Sequence, residues 1–225
     1  MGYPALALTD HDNLCGAMEF ARTCHSMGIK PITGVEMTLI GRYHITLLAE
    51  NREGYANICR LLSRSHVLNE SSYPEIDPRI FEDHSQGIIA LSGCRKGELS
   101  SLVTEGRLSE ARNLASRYEK WFGANNYFIE LQENLVHGDT QRNRHLTGLA
   151  RDLNIPVVAT NNAHYHLRER HCLQDCLVAI QKNKSLNETH QERRPNSEFH
   201  LKSEKDMSDL FADLPVAVVN TLRIA

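Results

Sequence analysis

Apolar residues follow one another along this chain in two rhythms. Short unbroken runs read as buried strands, and runs stepping by three and four read as helices. The first run, Ala-Leu-Ala-Leu at 5–8, ends abruptly in Thr9, Asp10 and His11. The polar Asp12-Asn13 then opens a turn, and Leu14, Ala17, Met18 and Ala21 continue at helical spacing. Strand, polar tip and helix make one βα unit. The pattern recurs over 31–39 with Glu36 as its odd polar residue, over 44–49 from His44, and over 87–94 ending in Cys94. Further runs cover 127–132 with Glu130 and 156–164 with Asn162 and His164.

Helices are predicted between them. Tyr55, Ile58, Cys59 and Leu62 share a face over 52–66. Leu108, Ala111, Ala115, Tyr118 and Phe122 form the cleanest amphipathic stripe, and Leu146, Leu149, Ala150 and Leu153 form another. The polar stretch 69–85, with Pro74 and Pro78, reads as a loop with a helical turn. A second polar break covers 183–197. After it, 199–201 reads as a short strand, Ser203-x-x-Asp206 as a helix start, and Val216, Val219, Leu222 and Ile224 as a helical stripe. Alternating strands and helices imply an α/β fold with a mainly parallel sheet and helices outside. In such folds the carboxyl ends of strands face the working end. Both ends of the chain read as cut.

Composition narrows the picture. A length of 225 residues, 41% hydrophobic and 24% charged, suits a globular chain. No 18-residue apolar run and no signal-peptide pattern are present, so a cytoplasmic protein without a membrane partner is expected. A net charge of −3 gives no support for a broad nucleic-acid footprint. The six cysteines argue against a disulfide framework; Cys15, Cys24, Cys59, Cys172 and Cys176 are read as core residues. Strand ends or edges instead offer His11, Glu36, His44, Cys94 and His164. These residue types bind borderline metals such as zinc, manganese or iron. The remaining histidines, His66 and His137 among them, receive no ligand role.

Several segments resemble a known family. Ala-Leu-Ala-Leu-Thr-Asp-His-Asp-Asn-Leu (5–14), Gly-Val-Glu (34–36), His-Ile-Thr-Leu-Leu-Ala (44–49), Ser-Gly-Cys-Arg-Lys-Gly-Glu (92–98) and Val-Ala-Thr-Asn-Asn-Ala-His-Tyr (158–165) are similar to the PHP domain that opens bacterial C-family DNA polymerase III alpha subunits. The helix at 53–61 and Ser-Glu-Phe-His-Leu-Lys-Ser (197–203) look most like the error-prone type. The resemblance implies a distorted, TIM-barrel-like β/α barrel lacking its first strand, over 1–182. A linker with a short α-helical extension would follow over 183–225. It implies a divalent metal (zinc, manganese or iron) held by His11, Glu36, His44, Cys94 and His164, with Asp10 and Glu130 orienting a ligand or a water.

Two departures weaken that site. The family's opening His-x-His is absent, and Asn162 stands where an acid is usual. No polymerase aspartates are present. The expected role is therefore a degenerate phosphoesterase-type barrel acting as scaffold in an error-prone polymerase used in replication or damage tolerance. Its partners would be DNA through the parent polymerase, the other polymerase domains and accessory proteins. The alternatives are an active metal-dependent 3′–5′ exonuclease and a free-standing PHP phosphatase.

Overall fold

A computed structural model describes residues 1–67 and 74–225; the first part of the loop expected over 69–85 lies outside the described residues. Six strands form one curled, half-barrel sheet whose spatial order is the chain order. They are β1 (Ala5–His11), β2 (Lys30–Leu39), β3 (Tyr43–Ala49), β4 (Ile88–Leu91), β5 (Tyr127–Gln132) and β6 (Val157–Thr160). Pairs β1/β2, β4/β5 and β5/β6 are parallel, as a βα alternation requires. Pairs β2/β3 and β3/β4 are antiparallel. The cause is the short link 40–42, in which Gly41 and Arg42 take positive φ. A parallel crossover needs a dozen residues or more.

Strand residues alternate between two faces. One face, with Val35, Met37, Ile45, Leu47, Ile88, Tyr127, Ile129 and Val157, builds the main core against the helices. The helices are α1 (Ala17–Ser26), α2 (Arg52–Val67), α3 (Phe81–His84), α4 (Glu98–Thr104), α5 (Leu108–Phe122), α6 (Asp139–Leu153), α7 (His171–Lys182), α8 (Glu204–Leu210) and α9 (Pro215–Ile224). Helix α5 buries Ala111, Leu114, Ala115, Tyr118 and Phe122, the stripe expected from spacing, while Leu108 at its start is exposed. The opposite, inner face holds a small apolar floor of Leu48, Leu91, Phe128 and Val158, with Ile32, Ile89 and Ile224 packed on it. Polar residues lie above that floor, toward the carboxyl ends of the parallel strands.

Several expectations are corrected. Strand β1 is half-exposed, not buried, because it pairs with β2 alone. Met18 and Tyr55 point outward. In α9 the buried residue is Ala217, and Val216, Val219 and Leu222 are exposed. Helix α9 covers β6, and Asn220 Nδ2 donates to the Val157 carbonyl at 2.8 Å. That leaves α7 on the outside, burying Ala179, so Cys172 and Cys176 are exposed rather than packed in the core. Cys15 is exposed as well. The strand expected over 199–201 is a single bridge, Tyr165 to His200.

Helix α8 starts as its Ser-x-x-Asp pattern requires. The Asp206 N–H donates to Ser203 Oγ at 3.2 Å and the Ser203 N–H to Asp206 Oδ2 at 3.0 Å. Ser203→Ala is expected to cost about 1 kcal/mol, read as a lower urea midpoint. An unchanged midpoint would place α8 outside the cooperative unit, despite Met207 and Phe211 in the core.

Candidate metal centre

The β1/β2 register sets His11 directly beside Glu36, and the β2/β3 register sets His44 opposite Thr38, diagonal to Glu36. All three therefore point from the inner face at one end of the sheet. His11 Nε2 donates to Glu36 Oε2 at 2.9 Å, and His44 Nδ1 donates to Glu36 Oε1 at 3.1 Å. Their rings meet edge to face, with centroids 4.8 Å apart. Burial alone would raise the Glu36 pKa, yet the two imidazole hydrogen bonds and their charges hold it far below the usual carboxylate range. The Glu36 hydrogen bond in turn raises the His11 pKa.

Cys94 arrives from the loop after β4. Gly93, at φ +91°, turns the chain against the His44 carbonyl. The Gly97 N–H then donates to the Cys94 carbonyl at 2.7 Å, and the Lys96 N–H donates to Sγ at 3.4 Å. Sγ ends 3.5 Å from His44 Nδ1. Burial, then the nearby Glu36 charge, pushes the thiol pKa far up. Four of the five sequence-derived ligand candidates are thus brought together.

The fifth is not. His164 Nε2 accepts a hydrogen bond from Arg194 Nη2. Burial and then the Arg194 charge lower the His164 pKa to about 4. Asn162, at φ +48°, is neutral and gives that wall no anion. Glu130 lies on the inner face, fully buried. Its Oε1 accepts from Gln132 Nε2 at 2.9 Å and from Thr160 Oγ1, while Oε2 has no partner among the described residues. Burial raises its pKa. Asp10 pairs with Val35 in the strand register and so belongs to the other face. A side chain at Gly16 would meet its carboxylate. It does not join the group.

Two residues escaped the sequence reading. His66 Nε2 donates to the Asp12 carbonyl at 2.8 Å and helps fix the loop after His11. Arg194 lay in a stretch read as linker, and an Arg-Arg-Pro run carries no spacing signal of its own.

The donors fit a divalent cation. The ligand atoms of His11, Glu36 and His44 lie within 4.8 Å of one another. Two imidazoles and a carboxylate, with a thiol alongside, form a borderline donor set. The orphaned Glu130 oxygen adds a buried partial negative charge on the same face.

Comparison with known proteins agrees with this geometry. The PHP domain family profile matches residues 1–134. The chain is 39% identical to an error-prone DNA polymerase of Symbiobacterium thermophilum over 240 aligned positions, covering 100% of this chain and 22% of that protein. It is 37% identical to the DNA polymerase III subunit alpha of Treponema pallidum, over 100% of this chain and 20% of that protein. For the Thermus aquaticus DNA polymerase III subunit alpha, identity is 36% over 91% of this chain and 18% of the relative. The chain thus spans about a fifth of the length of the curated relatives it matches. A half-barrel with histidines and an acid gathered at its strand ends, matched by the family profile over more than half its length, belongs to the PHP domain family.

Proposed function

We propose that this chain is the PHP module of a bacterial DNA polymerase III alpha subunit of the error-prone type. Its main role is that of a scaffold with a reduced metal centre. One observation carries this reading: the β6 wall offers no free ligand, since Arg194 occupies the His164 lone pair and Asn162 is uncharged. His11, Glu36, His44 and Cys94 remain to hold one divalent ion, with zinc, manganese and iron all suited to them. Such an ion, when bound, supplies Lewis acidity and an acidified water. Glu36 orients both imidazoles, and Glu130 holds Thr160 and Gln132 in place beneath them.

In this reading 1–182 is the barrel and 183–225 is the segment leading toward the polymerase body. Arg194, Phe199, Met207 and Ala217 of that segment fold back on the barrel. DNA, the other polymerase domains and accessory proteins are the proposed partners, and the cytoplasm is the proposed location. No helix among the described residues is long and apolar enough to cross a membrane.

Elemental mass spectrometry of purified protein, paired with a 3′–5′ nuclease assay on a mispaired primer, tests the proposal. Metal near one ion per chain, lost in His11→Ala, with no measurable cleavage is expected. Robust cleavage abolished by His11→Ala would replace the scaffold reading with that of an exonuclease.

A further inference from the structure

We propose that Cys172 and Cys176 are a redox pair, and that joining them in a disulfide unwinds the start of α7 and loosens the segment that holds Arg194 on His164. The inference stands apart from the metal reading above, because it concerns thiols on the outside of the half-barrel.

Three observations carry it. First, both thiols are exposed and sit one turn apart on α7. A helical side chain leans back over the turn before it, so Cys176 leans toward Cys172. Second, the Cys172 proton has an acceptor at hand. His171 Nδ1 donates to the Arg168 carbonyl at 3.1 Å, which leaves the lone pair of the neutral ring on Nε2. That nitrogen stands 3.5 Å from Cys172 Sγ. The thiolate is the nucleophile in cysteine chemistry.

The reaction balances with hydrogen peroxide as the oxidant. Cys172 gives its proton to His171 Nε2, and its sulfur attacks one peroxide oxygen. The O–O bond breaks, the departing hydroxide takes the proton and leaves as water, and Cys172 becomes a sulfenic acid. The Cys176 sulfur then displaces that hydroxyl, which leaves with the Cys176 proton as a second water. Two thiols are oxidised to one S–S bond, and the peroxide is reduced to two waters.

Third, geometry decides what the new bond does. Cβ atoms four residues apart on a helix are ~5–6 Å apart, whereas a disulfide needs ~3.5–4.5 Å. The turn between the cysteines must therefore open. Helix α7 allows this, since Ala179, which it buries, lies beyond Cys176. Asp175 lies inside that turn. Its Oδ2 accepts from Arg193 Nη1 at 2.9 Å, with each side chain 19% exposed. Arg193 directly precedes Arg194, whose Nη2 donates to His164 Nε2. Moving Asp175 removes the anchor beside that contact. Asn196 Nδ2 keeps its bond to the Asn134 carbonyl at 2.8 Å, so the loosening stays local.

The test treats the purified chain with hydrogen peroxide, alkylates it without reduction and digests it with trypsin. Residues 171–182 leave as one peptide that holds both cysteines. That peptide is expected to be unalkylated and lighter by two hydrogens, to revert with dithiothreitol, and not to form in Cys172→Ser or Cys176→Ser. The Arg193 N–H donates to the Thr189 carbonyl at 3.1 Å, so its hydrogen exchange reports the loosening. Oxidation is expected to speed exchange about 10-fold or more over 171–176 and at Arg193, and to leave β5 unchanged. Asp175→Asn should speed exchange at Arg193 in the reduced protein. Separate oxidation of the two thiols to sulfinic acids, or a disulfide from either one to Cys15, would overturn the proposal. So would a Cys172–Cys176 disulfide that leaves exchange at Arg193 unchanged.

Discussion

Gly93→Ala is expected to lower stability by about 3–5 kcal/mol, enough to leave little folded protein in a small domain. Gly93 sits at φ +91°, where a side chain is strained whatever the space around it. A β-carbon there would also stand 2.1 Å from the His44 carbonyl oxygen and 2.9 Å from its carbon. Both are backbone atoms, so no side chain can rotate away. Relief requires the loop after β4 to move off the start of β3, which separates Cys94 from His44. Gly148→Ala is the contrast: α6 has open space at that position, and alanine favours a helix. Urea melts of the two variants read the difference. A Gly93→Ala midpoint close to that of Gly148→Ala would show that the His44–Gly93 approach can open at little cost.

The second large effect is on metal affinity. Glu36→Gln is expected to weaken zinc binding by more than the ~10–100-fold that loss of an orienting partner alone costs. Glu36 is both the anion of the donor set and the acceptor that fixes both imidazoles. An amide carries no charge, and its NH2 would face one histidine as a second donor. Competition against a chromophoric chelator measures the change, with Glu130→Gln as the milder comparison. Affinity in the wild type should also fall as pH falls through the raised His11 pKa, because a proton then competes for the imidazole. That titration should move to lower pH in Glu36→Gln, since the hydrogen bond that raises the His11 value is weakened. Equal zinc affinity in wild type and Glu36→Gln would take Glu36 out of the centre.

Much of the inner-face geometry could be read from the chain because period-two alternation is strict. Glu36, His44 and Glu130 fall on one face by counting; the same count puts Asp10, one residue from His11, on the other, against the family resemblance that had it orienting a ligand or a water. Strand ends after βα units placed His11 and Cys94 at the same end. What could not be read depends on contacts made far along the chain. The helix covering β6 is α9, not the nearer α7, and nothing in the apolar stripe of α7 announces that the site is taken. Similarly, the His164 motif looked like a ligand because its partner lies 30 residues away in a segment without periodicity. The antiparallel turn at β2/β3 was legible in principle, since three residues cannot carry a crossover.

The agreement between spatial strand order and chain order has a consequence for synthesis on the ribosome. Each strand pairs with the one made just before it, so the sheet can zip up as the polypeptide emerges, without waiting for distant segments. His11, Glu36 and His44 all lie within the first 44 residues and converge once β3 has docked. Arg194 emerges some 150 residues later. The nascent centre therefore passes through an interval in which its acidic, imidazole-rich half is formed and its guanidinium wall is not. The guanidinium beside His164 is therefore the last of these side chains to be put in place.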